Sequence, residues 1–290
     1  MIHYQRLGCP PLQDYHKPRP GRLLVPWSLH PKAILHGTSG TLQASDLTPW
    51  MPPVGNQERI GACNSYGTKD AIIASLQKAS GALLAYRAAL PLYRATRCME
   101  RAAYGNVSDA LTDSGANPDD VLNVVHNWGM QTSQDECGEA GPSDTLSLYE
   151  DQHVNDEPTL REFELDHSFR VVGGFDITSS GKQRLLDVSN ALASGFACGV
   201  SVYAADDRFQ GYASGIMPDP PAGSGCDHWV YIIGMYLDAA GSPVFVVVNS
   251  WALGWGTSWS KAPGGVFLAG PGIIQAADCL IAYSVQTVTT

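Results

Sequence analysis

The sequence lacks an excess of basic residues, long apolar runs and an export signal. Its 18 lysines and arginines stand against 28 aspartates and glutamates, which gives a formal charge of −10 at pH 7. Nucleic acids and anionic membranes bind basic surfaces, so this balance argues against both as partners. No apolar run approaches the roughly 18 residues of a membrane span, and the opening MIHYQRLGCPPLQDYH lacks the apolar core of a secretory signal. We therefore expect a chain that is not secreted by that route.

The chain also has few cysteines and none in a C-x-x-C pair. Seven cysteines cannot all pair with one another and are too few for a disulfide scaffold, so a reducing compartment is expected. Cys226 and His228 are two residues apart, but the sequence shows no further ligands for a zinc site. Motifs of metalloproteases, serine hydrolases and phosphate-binding loops are missing. We expect neither a metal nor another cofactor.

The order of the secondary-structure signals predicts an α+β fold. A helix is expected to begin near Cys63, since CNSYGTKDAIIASLQKAS has small and apolar residues at helical spacing. A second helix is indicated by GANPDDVLNVVHNWGM, with Asn117 as N-cap, Pro118 in the first turn and Gly129 as the stop. ACGVSVY, HWVYIIGMYL and VFVVVNSW are typical of strands. Helices early and a sheet late predict two lobes with a cleft between them.

Composition divides the chain into an arm and a single domain. Nine of the 19 prolines lie within residues 1–53, which favours extended structure over helix, and residues 1–45 carry a net charge of +4. We assign residues 1–45 to a proline-rich basic arm and residues 46–290 to the domain. Its helical lobe covers about 60–150 and its β lobe about 165–290. The arm is either a contact for a protein partner in an assembly or an irregular surface segment.

Cys63 is the candidate nucleophile. A cysteine chosen at random is usually a small buried hydrophobe. At the first turn of a helix, however, the helix dipole and the free backbone N–H groups favour the thiolate, which is the reactive form of the side chain. The sequence thus points to nucleophilic chemistry at Cys63, provided that a base lies nearby.

Three further residues complete a catalytic set. His228 follows a glycine-rich loop at the start of a strand and is the candidate base, and Asn249 ends the next strand and is the candidate orienting group. A hairpin through residues 238–243 brings them together with a mismatch of about two residues per strand, which a bulge or a side chain can span. Gln57 and the Cys63 backbone N–H are candidate donors to an oxyanion. Taken alone, NSW equally fits a strand-terminating asparagine followed by a core tryptophan.

The motifs NQERIGAC, DHWV and NSWALGWG together resemble those of papain-like cysteine peptidases, over roughly residues 46–282. The resemblance implies a papain-like two-lobed fold, with an N-terminal helical lobe and a C-terminal antiparallel β-barrel-like lobe around an active-site cleft. It also implies an endopeptidase that acts on peptide or protein substrates. The implied catalytic residues are Cys63, His228, Asn249 and Gln57.

The resemblance extends to the substrate cleft and to one branch of the family. DSGANPDDVLNVVHNWGM is similar to the bacterial and phage members, in which Ser114 and Gly115 would lie at the strand edge that binds substrate. Trp251 would cover the contact between the histidine and the asparagine. Trp229, beside the base, would narrow or fill the cleft. A cytoplasmic or virion-associated protein follows as the expectation.

Several residues depart from the family pattern. Ile60 stands where secreted relatives have a disulfide cysteine, Asn64 replaces the usual aromatic after the nucleophile, and Trp229 replaces a small residue after the base. Trp229 and the basic arm leave a second hypothesis open. In that hypothesis the chain is a structural or assembly protein on a papain-like fold, such as a phage virion component, with residual or no peptidase activity.

Overall fold

The computed structural model describes residues 24–26, 40–85, 87–104, 110–130, 154–156 and 173–284. None of the helices in these ranges is long and apolar enough to cross a membrane. A 3-10 helix at Thr48–Trp50 precedes the first α-helix. The α-helices are α1 Cys63–Ser80, α2 Leu90–Tyr104, α3 Pro118–Trp128, α4 Gly181–Ala193, α5 Asp207–Gln210 and α6 Pro271–Ala276.

The strands of the described residues join into one mostly antiparallel sheet. The strand order is β1-β3-β10-β4-β6-β7-β9-β5, with β2 paired to β6 and β8 to β9. Only the β1–β3 and β5–β9 pairs among these are parallel. This mixture of helices and sheet confirms the predicted α+β class. The strands are β1 Leu24–Pro26, β2 Ser45–Asp46, β3 Gly173–Asp176, β4 Cys198–Val202, β5 Ile216–Met217, β6 His228–Leu237, β7 Pro243–Val248, β8 Thr257–Trp259, β9 Ala262–Ala269 and β10 Leu280–Ser284.

Helix α1 forms the centre of the molecule, and every residue from 63 to 77 is buried. Such a helix needs small residues wherever a neighbour approaches closely. A Cβ atom on Gly67 would lie only 2.8 Å from the ring of Trp229, and one on Gly199 of β4 would lie 2.4 Å from the same ring. The Trp229 indole therefore fills the space between α1 and the sheet.

Local sequence signals agree with helix α3 and with the hairpin. Helix α3 begins at Pro118 after Asn117 and ends before Gly129, whose φ of 87° suits a glycine. Strands β6 and β7 pair antiparallel, with a register shift between Ile232 and Gly234. This bulge shifts the pairing of the two strands by one residue. The shift reduces the mismatch between His228, the predicted base, and Asn249, its predicted orienting residue.

Part of the arm joins the sheet. Strand β1 pairs in parallel with β3, with Leu24 opposite Gly174. Near the end of the arm, the Gln43 backbone N–H donates to the Ser189 hydroxyl on α4 at 2.8 Å. Residues 1–23 and 27–39, which make up most of the arm, lie outside the described residues. A partner contact through the arm stays a prediction.

Candidate active site

Cys63 is the first residue of α1 and is fully buried. Gly67, one turn later in the helix, lies against Trp229, the residue that follows His228. The first turn of α1 therefore lies beside the start of β6. The free N–H groups of a helix N-terminus and its dipole stabilise negative charge on a sulfur at this position.

His228 and Asn249 form a direct hydrogen bond. The His228 Nε2 atom lies 2.7 Å from Asn249 Oδ1. The Ser250 backbone N–H also donates to this Oδ1, at 2.8 Å, which identifies the atom as the carbonyl oxygen. Because Oδ1 accepts, Nε2 carries the proton of the neutral ring, and Nδ1 is left as the basic nitrogen.

An aromatic cluster encloses this pair. The ring centroid of Trp251 lies 5.0 Å from that of His228, and Phe209 approaches the imidazole edge-on at 6.1 Å. Phe209 also packs against Trp251, with ring centroids 5.5 Å apart. His228 is 4% exposed and Asn249 is 2% exposed. A hydrogen bond shielded from water in this way is stronger than an exposed one and holds the ring in one orientation.

Burial also sets the charge of the imidazole. It lowers the pKa of His228 from 6.5 to about 4, although the hydrogen bond to Asn249 acts in the opposite direction. At neutral pH the ring is therefore uncharged and able to accept a proton. In an unfolded chain the same ring would be half protonated at pH 6.5.

We expect the His228 resonance in an NMR titration to show a midpoint near 4, well below 6.5. The resonance can be assigned with a His228→Gln variant. In Asn249→Ala the midpoint should fall further, since the asparagine bond raises this pKa. Folding with a lowered pKa adds stability that is fully present above pH 6.5 and is lost as the pH falls through about 4. A midpoint at the value of a free histidine would contradict this environment.

Gln57 is held against the residue that follows Asn249. Its backbone N–H donates to the Ser250 carbonyl at 2.8 Å, and the Ser250 hydroxyl donates to Gln57 Oε1. Gln57 Nε2 donates one of its two N–H groups to the Ile60 carbonyl oxygen, 2.9 Å away. The second proton of this amide is the candidate oxyanion donor. Sequence reasoning did not single out Ser250, although it lies inside the NSW motif.

Ser114 and Gly115, the residues predicted to bind substrate, lie close to the residues that flank Cys63. Ser114 is exposed, whereas Gly115 is buried and adopts a φ of 81°. The next residue, Ala116, accepts a hydrogen bond through its carbonyl from the Asn64 side chain. This bond explains how a buried asparagine replaces an aromatic residue after Cys63.

Trp229 differs from its predicted role. The sequence led us to expect a side chain that narrows the substrate cleft, but the indole is 1% exposed and fills the core between α1 and β4. The reason is that Gly67 and Gly199 leave the space that this ring occupies. Trp229 is therefore a core residue that packs between α1 and β4, directly after His228 in the chain.

A groove lies next to Phe209, whose ring approaches His228 edge-on and forms part of the groove wall. Cys226, Met217 and Ile273 also line it. In the part of the chain that the structure describes, no group of three or more histidine, cysteine or acidic side chains is arranged to hold a metal ion.

A family model for papain family cysteine proteases matches residues 45–261. The chain belongs to the papain family of cysteine proteases. No curated protein sequence matches it. The match contains the segments around Gln57, Cys63, His228 and Asn249. The chain is accordingly a papain-like cysteine peptidase, whereas the bacterial and phage branch remains an inference.

Solved structures of the family have the same fold at low sequence identity. Digestive procathepsin L 3 of Tenebrio molitor larval midgut has a TM-score of 0.62 and 20% identity, over 91% of this chain and 75% of its own. Xylellain, a cysteine protease from Xylella fastidiosa, has a TM-score of 0.61 and 19% identity, over 96% of each chain. Bromelain from Ananas comosus, in complex with the E64 inhibitor, has a TM-score of 0.61 and 17% identity, over 85% of this chain and 100% of its own.

Proposed function

We propose that the chain is a cysteine endopeptidase in which Cys63 is the nucleophile, His228 the base and Asn249 its orienting residue. The hydrogen bond between His228 Nε2 and Asn249 Oδ1 carries this proposal, because it leaves Nδ1 as the basic nitrogen. His228 is the first residue of β6, which starts beside the first turn of α1, and Asn249 directly follows β7, the strand paired with β6. The arrangement supports attack by sulfur on a carbonyl carbon.

The reaction proceeds in two halves. The Cys63 sulfur attacks the peptide carbonyl while its proton passes to His228 Nδ1, and the carbonyl oxygen becomes an oxyanion. His228 then protonates the leaving amine as the C–N bond breaks, which leaves a thioester on Cys63. A water molecule loses a proton to His228 and adds to the thioester, which releases the carboxylic acid and restores the thiol.

Gln57 supports the oxyanion in this proposal. We expect Gln57→Ala to lower kcat/KM by about 10²–10³-fold, since one of the two donors to the oxyanion is lost. Most of the loss should appear in kcat, because the oxyanion forms only after the attack. Steady-state kinetics on a fluorogenic peptide measures both constants. Asn127→Ala, a change at an exposed asparagine of α3, is the matched control. A variant at Gln57 with unchanged kcat would remove this residue from the mechanism.

The groove next to Phe209 suggests the kind of side chain that the substrate carries. Val202, Phe209, Met217 and Ile273 give it an apolar wall. At its rim, Arg208 pairs with Asp206, with Nε 2.9 Å from Oδ2, so the two charges offset each other. We infer that an apolar substrate side chain binds here, since burial of apolar surface favours such a fit.

Branch and location remain inferences from sequence. The segment from Asp113 to Met130 supports the bacterial and phage branch, and a cytoplasmic or virion-associated location stays a proposal. The assembly hypothesis rested partly on Trp229 beside the base, and this ring lies in the core. Its remaining support is the arm, of which β1 pairs with the chain's own β3. A monomeric mass in solution, with residues 1–45 removed by trypsin without effect, would exclude assembly through the arm.

A labelling assay tests the proposed function directly. The reduced protein should cleave casein and should be alkylated by the epoxide inhibitor E64 at one site. Mass spectrometry of the digest should place that adduct on Cys63. Intact casein at several pH values, together with a lack of adduct on Cys63, would reject the endopeptidase proposal.

A further inference from the structure

Two hydrogen bonds join the 113–116 segment to the residues that flank Cys63. The Gly61 backbone N–H, two residues before the nucleophile, donates to Asp113 Oδ1 at 2.9 Å. The side chain of Asn64, the residue after the nucleophile, donates to the Ala116 carbonyl. Cys63 is thus bracketed by bonds to one short segment of the helical lobe.

Helix α2 holds the acceptor of the first bond in place. The Tyr93 hydroxyl donates to the same Asp113 Oδ1 at 2.6 Å, and it accepts from the Gly115 backbone N–H at 3.0 Å. Burial raises the pKa of Tyr93, so its hydroxyl keeps its proton and remains a donor. The Arg97 guanidinium lies over the Tyr93 ring at 4.1 Å and also donates to the Thr112 carbonyl.

The packing of Gly61 against Asp113, Gly115 and Tyr93 leaves no room for a larger residue at position 61. A Cβ atom on Gly61 would lie 3.0 Å from Asp113 Oδ1, 3.0 Å from the Gly115 nitrogen and 3.1 Å from the Tyr93 hydroxyl oxygen. The backbone at Gly61 therefore packs directly on the Asp113–Tyr93 pair. A displacement of Asp113 would displace the turn that leads into Cys63.

We propose that Asp113 is a positioning residue: through Gly61 it fixes the Cys63 turn, and with it the Cys63 backbone N–H, against the Ser114–Gly115 edge. This inference rests on the proposed function, in which that N–H stabilises the oxyanion. Donors in such a site act through their preorganised position, and small misplacements are costly. Asp113 itself does not contact the reacting atoms.

The paired variants Asp113→Ala and Asp113→Asn separate positioning from a general structural effect. Asparagine keeps a carbonyl oxygen that accepts from Gly61 and Tyr93, whereas alanine accepts from neither. We expect Asp113→Ala to lower kcat by about 10–100-fold with little change in KM, since misplaced donors affect mainly the transition state. Asp113→Asn should stay close to the unmodified protein.

Amide hydrogen exchange at residues 61–63 supplies a second readout that does not require turnover. Loss of the acceptor should speed this exchange at least about tenfold in Asp113→Ala, and Asp113→Asn should restore protection. Asp187→Ala is the control, since Asp187 also accepts side-chain bonds but lies on α4. Thermal unfolding shows that each variant is folded at the assay temperature.

The outcomes are distinct. A kcat loss and faster exchange in the alanine variant, both restored by asparagine, support the proposal. Unchanged kcat and exchange in Asp113→Ala overturn it, and so does an equal loss in the alanine and asparagine variants. If the unmodified protein cleaves no peptide, the proposed function fails, and exchange at residues 61–63 alone decides whether Asp113 holds the turn.

Discussion

Replacing Cys63 by alanine should lower kcat/KM for peptide hydrolysis by at least about 10⁴-fold, since loss of a nucleophile leaves only binding and oxyanion contacts. The fold should persist, because the change removes one buried sulfur at the start of α1. Hydrolysis of a fluorogenic peptide gives the rate, and E64 labelling should disappear together with activity. An alanine variant that still hydrolyses the peptide would show that the nucleophile lies elsewhere.

Cys198 serves as the control for this experiment, since it is buried but lies outside the groove that Cys226 lines. Burial raises the pKa of the Cys226 thiol to about 12 and also raises the pKa of Cys198. Neither thiol therefore forms the reactive thiolate readily near neutral pH. Cys198→Ala should keep its activity within about threefold of the unmodified protein, because Cys198 lies in β4, outside the proposed catalytic set. A loss in Cys198→Ala as large as that in Cys63→Ala would indicate a folding defect instead of lost chemistry.

Replacing His228 by alanine should lower kcat/KM by about 10²–10⁴-fold, the range that general acid–base catalysis contributes. In this variant no group remains to take the proton from sulfur or to protonate the leaving amine. His126→Gln is the matched control, because His126 lies in the last turn of α3. Steady-state kinetics is measured above pH 6.5, where the contribution of His228 to the stability of the unmodified protein no longer changes with pH.

A double variant sharpens this prediction. In the proposed mechanism Asn249 acts only through the imidazole of His228, whose Nε2 lies 2.7 Å from Asn249 Oδ1. The double variant His228→Ala with Asn249→Ala should therefore be no slower than His228→Ala alone. Additive losses in the double variant would show that Asn249 acts independently of His228.

Strong local signals explain why much of the fold could be predicted. Pro118 and Gly129 mark the ends of α3 through constraints on the backbone, which do not depend on distant contacts. Helix α2 was not predicted. Arginines are mostly exposed in proteins, but Arg97 of this helix is only 3% exposed, because it donates to the carbonyls of Thr112 and Val154. Helix α4 also went unpredicted, although its residues 185–192 carry apolar side chains at helical spacing.

The site residues also divide into those that local sequence signals predict and those that depend on distant contacts. Gln57, His228 and Asn249 could be named because each lies in a short motif of the sequence. Asp113 could not, since its partners are a backbone N–H and a tyrosine on another helix. The prediction that Trp229 lies in the substrate cleft was wrong for a related reason. Residues 228–235 of β6 are all buried, so alternation gave no indication of its direction.

The Trp229 ring between two glycines has a consequence for the evolution of the family. It acts as a spacer of fixed thickness between the helix that begins at Cys63 and the strand that begins at His228. A homologue with a small residue at this position would need bulk from elsewhere to keep the same gap. Positions 67, 199 and 229 should therefore co-vary, with larger side chains at the first two wherever the third is small.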